Sequence, residues 1–160
     1  MKAEVLIQHR WLQKLLGEWE YEHELPAEPG KPARKLTGRE NVRALGELWV
    51  LAEGQGEMPD GNRAETLMSI GYDPQRSAFV GTWIGSMMTH LWAYEGSLDA
   101  QGRVLTLNSE GPSFTEPGKM ARYQDIITFL ADDHRTLTSR VLGADGSWTQ
   151  FMEAHYRRKP

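Results

Sequence analysis

The hydrophobic pattern of this chain changes period once, near residue 17. Before that point Val5, Trp11, Leu12, Leu15 and Leu16 recur at helical spacing, which predicts one amphipathic helix over residues 4–16. Gly17 follows the last apolar pair and reads as its C-terminal cap. From there the period is two. Trp19, Tyr21 and His23 alternate with Glu18, Glu20, Glu22 and Glu24, which is the pattern of a half-buried strand with an acidic outer face. Residues 26–32 form a Pro-rich loop, expected at the mouth of the structure.

The same alternation then repeats with turn signals between the runs. Strands are predicted over 35–44, 48–56, 64–72, 77–86, 90–98, 103–110, 119–130, 136–142 and 147–157. The turns carry Asp60-Gly61, Asp73-Pro74, residues 99–102, Asp132-Asp133 and Asp145-Gly146. The densest stretch is 71–88, where Phe79, Gly81, Trp83 and Gly85 share one face; glycines between rings imply close backbone approach or sharp coiling. One helix followed by about ten short strands predicts an all-β fold, an antiparallel up-and-down β-barrel. About ten strands leave a wider lumen than eight do. The expected organisation is a single domain over 1–160, with the helix at 4–16 and the barrel at 17–158.

Composition narrows the function classes. The net charge of −4 gives no basic footprint, so nucleic acid is not an expected partner. The chain has no cysteine, which excludes disulfides, thiolate catalysis and Cys-ligated metals. Glu4, Gln8 and Arg10 interrupt the N-terminal apolar residues, so no signal peptide or membrane span is expected and the location reads as cytoplasmic. Six tryptophans against four phenylalanines is unusual, and each buried indole needs a partner for its N–H.

Two sets of residues resemble known families. The helix running into Gly17-Glu18-Trp19 is similar to the Gly-x-Trp opening of lipocalins and other calycins. There the Trp closes one end of the barrel and a basic residue of the last strand packs over it, which implies that role for Arg157 or Arg158. Gly71-Tyr72-Asp73, Thr82-Trp83-Ile84 with Ser86-Met87, Gly96-x-x-Asp99 and Tyr156-x-Arg158-Lys159 resemble family 1579 of the bacterial domains of unknown function, in order and over nearly the whole chain. That family is grouped with the calycins, so the resemblance implies a lipocalin-like barrel and brings no established activity. Gly85 stands where the family's motif often has an acid, so no role for that acid carries over. The chain is similar to haem-binding nitrobindin-like calycins in outline only. Tyr21 and His23 replace the later glycines of their opening motif, so haem is not supported and no cofactor is expected.

The candidate chemistry sits on the inner face. If Trp19 points inward, so do Tyr21 and His23, and Trp83, His90, Trp92 and Tyr94 join them from later strands, with Met87 nearby. These residues either line a pocket for a small hydrophobic or aromatic molecule or simply fill the barrel. His90, at the entry to a strand, reads as an acid or base at the barrel mouth, or as a rim histidine bonded to a backbone carbonyl. Glu40 and Arg122 are the candidate charged groups. Facing inward, each needs a partner, and an Arg suits a carboxylate or phosphate; facing outward, both are ordinary solvated residues. Asp73 and Asp132-Asp133 read as turn chemistry. No phosphate loop, nucleophile elbow, zinc or calcium motif occurs. The expected function is binding of a small hydrophobic molecule through Trp19, Tyr21, Glu40, Trp83, Met87, His90, Trp92, Tyr94 and Arg122. Two alternatives stand beside it: an enzyme using His90 with Tyr94 or Glu40, and a filled barrel acting through its surface or as a homodimer.

Overall fold

In the computed structural model, which describes residues 1–25 and 28–160, the chain opens with α1 (Ile7–Leu12) and a 3-10 turn (Gln13–Leu15). Ten strands follow: β1 (Gly17–Leu25), β2 (Arg34–Leu45), β3 (Trp49–Glu57), β4 (Arg63–Asp73), β5 (Ala78–Gly85), β6 (Trp92–Leu98), β7 (Val104–Pro112), β8 (Met120–Ala131), β9 (His134–Leu142) and β10 (Trp148–Arg158). Each pairs antiparallel with its neighbours in the chain, and β10 returns to pair with β1, closing the barrel. The all-β barrel expected from the period-two pattern is the observed fold. The loop expected over 26–32 falls partly on residues 26 and 27, which lie outside the described residues.

The helix is shorter than its hydrophobic pattern implies. His9 Nδ1 accepts the Leu6 N–H at 2.9 Å and starts it, and the last turn tightens into the 3-10 form before Leu16 goes extended. Gly17 is therefore not a helix cap. It opens β1 at φ +123°, and a Cβ there would lie 2.7 Å from Arg158 Nη1. The remaining expected turns hold: Asp60 Oδ1 accepts the Asn62 N–H at 2.9 Å, and Asp73 Oδ1 accepts the Gln75 N–H at 2.9 Å.

Alternation puts one face of every strand into the lumen. At the end where β1 begins, α1 and the 3-10 turn plug it with Trp11, Leu12 and Leu15, packed on Trp19, Ile70, Phe79, Leu105, Leu107 and Phe129. The Trp11 ring meets Phe79 and Phe129 edge to face at 6.0 and 5.8 Å, and its Nε1–H donates to the Gly102 carbonyl at 2.7 Å. Trp19 is 1% exposed, and its Nε1–H donates to the Leu15 carbonyl at 2.9 Å. Guanidinium groups pack on its ring from Arg158 at 4.2 Å and from Arg135 at 4.5 Å. Arg158 is thus the basic residue over the Trp, while Arg157 is exposed. No helix among the described residues is long and apolar enough to cross a membrane.

Candidate functional site

Above the plug, the lumen carries a layer of paired charge. Arg135 of β9 is 3% exposed and donates to Glu40 Oε1 of β2 at 2.6 Å, while its guanidinium lies 4.2 Å from the Tyr156 ring. Arg135 Nε is the one buried side-chain polar atom without a partner among the described residues. The pair lines a cavity of only about 20 Å³ with Leu15, Val50, Met68, Ile127 and Tyr156, so this half of the barrel is filled.

Beyond that layer the lumen opens. A pocket of about 200 Å³ at the end where β5 finishes and β6 begins is walled by Trp83, Met88, Trp92, Phe114, Tyr123, Phe151 and Met152. The rings meet edge to face: Trp92 and Tyr123 have centroids 5.0 Å apart at 89°, and Phe114 and Phe151 are 6.0 Å apart at 77°. Phe114 and Phe151 are 63% and 49% exposed and form an aromatic rim. Phe151 reaches the rim because β10 shifts register between Gln150 and Met152, a bulge that re-aims the side chain. Tyr123 is fixed by its hydroxyl, which donates to the Pro112 carbonyl at 2.7 Å, and Trp92 Nε1–H points at Met88 Sδ at 3.0 Å.

The floor of this pocket is polar. Asp125 of β8 accepts a hydrogen bond from Ser139 Oγ of β9 at 2.6 Å and another, short one from the Tyr94 hydroxyl of β6. Tyr94 and Ser139 are buried, while Asp125 is partly reachable from the pocket. Burial pushes the Asp125 carboxyl above its ordinary value, and the bonds from Ser139 and Tyr94 only partly offset it. Burial, and then the charge of Asp125, holds the Tyr94 hydroxyl well above the usual phenol range.

The residues expected to form one site are dispersed. Trp83, Trp92 and Tyr94 do converge on the pocket. Trp19 lies at the plugged end, because β1 begins there. Tyr21 stacks on Tyr156 at 5.0 Å and lies over Gly38 and Gly56, where a Cβ would overlap its ring or hydroxyl. Glu40 is inward but engaged by Arg135. Met87 is exposed, and its neighbour Met88 is the methionine that lines the pocket. His90 precedes β6 instead of opening it; its Nε2 lies 3.1 Å from the Glu110 carbonyl and its ring stands edge-on to Trp92 at 4.8 Å. Arg122 faces outward, 72% exposed beside Glu110 at 3.7 Å, since the inner face of β8 belongs to Tyr123, Asp125 and Ile127. Two broader depressions, about 510 and 690 Å³, lie on the outside of β1–β4, lined by charged groups such as Glu18, Arg39 and Arg63. Among the described residues no group of three or more His, Cys, Asp or Glu is placed to hold a metal.

Residues 4–158 match the family described as "Protein of unknown function (DUF1579)". The chain belongs to this family. No curated protein matches it. Its fold is similar to that of Rv2717c from M. tuberculosis, at 12% identity and a TM-score of 0.60, over 98% of this chain and 100% of that one. It is also similar to the S-type phycobiliprotein lyase CPES from Guillardia theta, at 11% identity and a TM-score of 0.53, over 99% of both chains. At such identities the likeness is one of fold. In this DUF1579 chain, Asp125, Ser139 and Arg135 are site or lumen residues that side-chain type alone does not single out. The signal for Asp125 is an acid flanked by Tyr123 and Ile127 at a spacing of two, and Arg135 stands likewise two residues before Leu137.

Proposed function

We propose that this DUF1579 chain binds a small, largely apolar molecule in the aromatic pocket at the open end of its lipocalin-like barrel. The observation that carries the reading is the half-filled lumen: a packed plug below, and above it about 200 Å³ of space walled by five aromatic side chains and two methionines over a polar floor. Apolar walls with a few convergent polar groups are the usual make-up of a small-molecule site. The volume lies below the usual range of roughly 300–1,000 Å³, so the ligand is small and no macrocyclic cofactor is proposed. The fold likeness to a phycobiliprotein lyase is compatible with a barrel that receives small molecules but names no ligand.

Calorimetric titration with a neutral aromatic probe, 2-phenylethanol, tests this. Burying about 150 Å² of apolar surface gives roughly 4 kcal/mol before association costs, so saturable binding no tighter than about millimolar is expected. Trp92→Ala removes a wall and weakens binding by about tenfold. No saturable heat at any soluble probe concentration, or an affinity indifferent to Trp92→Ala, removes the pocket from consideration.

A further inference from the structure

Two acids face the lumen among the described residues, and they are treated differently. Glu40 has its counter-ion, Arg135, at 2.6 Å. Asp125 makes no ion pair within 4.0 Å among the described residues: its bonds come from two hydroxyls, Tyr94 and Ser139. A carboxylate offers about four lone-pair sites, so about two stay unfilled. An unpaired carboxylate in an apolar setting is costly, and a cation brought to it offsets that cost. Asp125 is also partly reachable from the pocket, so a ligand can approach it. The walls have the matching character. Trp92–Tyr123, Phe114–Phe151 and Tyr123–Phe151 meet edge to face and Phe114–Tyr123 is tilted at 59°, so none of these pairs is stacked face to face. Such faces attract cations through the ring quadrupole. Among the described residues no Lys, Arg or His lines the pocket, so no positive charge there receives an anion.

We propose that the ligand carries a protonated amine on a small apolar body, with the ammonium group against Asp125 and the body against the aromatic walls. This rests on the pocket being a ligand site, and it adds the ligand's charge. At about 200 Å³ the pocket holds the equivalent of roughly seven waters at ~30 Å³ each, so the amine is a small one. Burial raises the affinity of Asp125 for a proton, and the ammonium group competes for the same oxygens.

The test compares three probes of near-equal size by calorimetry: 2-phenylethylamine as its cation, neutral 2-phenylethanol, and phenylacetate as the anion, all at pH 7. The amine is expected to bind about tenfold or more tighter than the alcohol, with phenylacetate weakest. In Asp125→Asn the amine-to-alcohol affinity ratio is expected to fall toward one. An amine no tighter than the alcohol in the wild type overturns the inference while leaving the pocket standing, because alcohol binding reports the pocket alone. A preference that survives in Asp125→Asn also overturns it, by moving the cation elsewhere. If none of the probes binds, both readings fall. The wild-type comparison decides even where the variant does not fold.

Discussion

At the scale of single residues, the interior is governed by whether a buried charge has a partner. Arg135 is held between the Trp19 and Tyr156 rings and tied to Glu40. Truncating one member leaves the other charged, buried and alone, which costs about 3–5 kcal/mol. Glu40→Ala is therefore expected to lower unfolding free energy by about that amount in urea titration. The double variant Glu40→Leu with Arg135→Met is expected to recover most of it, since an apolar pair needs no desolvation of charge. A double variant as unstable as the single one would show the pair to be favourable in itself. Residue-level chemistry was the least legible part of the sequence. Periodicity puts Tyr94 on an inner face and leaves Glu40 open, and it does not say how far along the barrel axis either one stands. Trp19 and Trp92 share an inner face, and the axis separates them into plug and pocket.

At the scale of elements, α1 is six residues long, too short to be stable alone. What holds it is the barrel end, into which Leu12 inserts at 1% exposure. Leu12→Ala is expected to cost about 2–5 kcal/mol, read as a lowered denaturation midpoint. A loss under about 1 kcal/mol would mean the plug is not part of the cooperative unit. The strands were legible because alternation over 7–12 residues is a strong signal, and the Asp-Gly turns fix their ends. The helix end was not, because Leu15 and Leu16 continue the helical spacing while tertiary packing turns the chain into β1. The start of β6 slipped by two residues for a similar reason: His90 has the alternation of a strand residue, but the segment before Trp92 runs as a turn and coil.

At the scale of the whole molecule, ten strands in chain order leave only one pairing that periodicity does not dictate, that of β1 with β10. It brings Trp19 opposite Arg158 and His23 opposite Ala154. The barrel is thereby closed, and among the described residues no strand presents a free edge to a neighbouring chain. The lumen's division into filled and open halves follows from the helix entering at one end only, which the sequence order implies but side-chain volumes decide.

The β1–β10 seam also gives the protein a mechanical character. The two strands are antiparallel and the start of β1 lies beside the end of β10, so both chain ends leave the barrel from the same rim. Tension applied to those ends loads the seam one hydrogen bond at a time, as in a zipper, instead of shearing all of them together. The first to yield are the Lys159 N–H to Glu18 carbonyl bond at 2.8 Å and the Arg158 contacts to the Lys14 and Leu16 carbonyls. Optical-trap pulling from the two ends should open the barrel at much lower force than pulling through handles at residues 60 and 158. Equal forces in the two geometries would mean that the seam does not yield first.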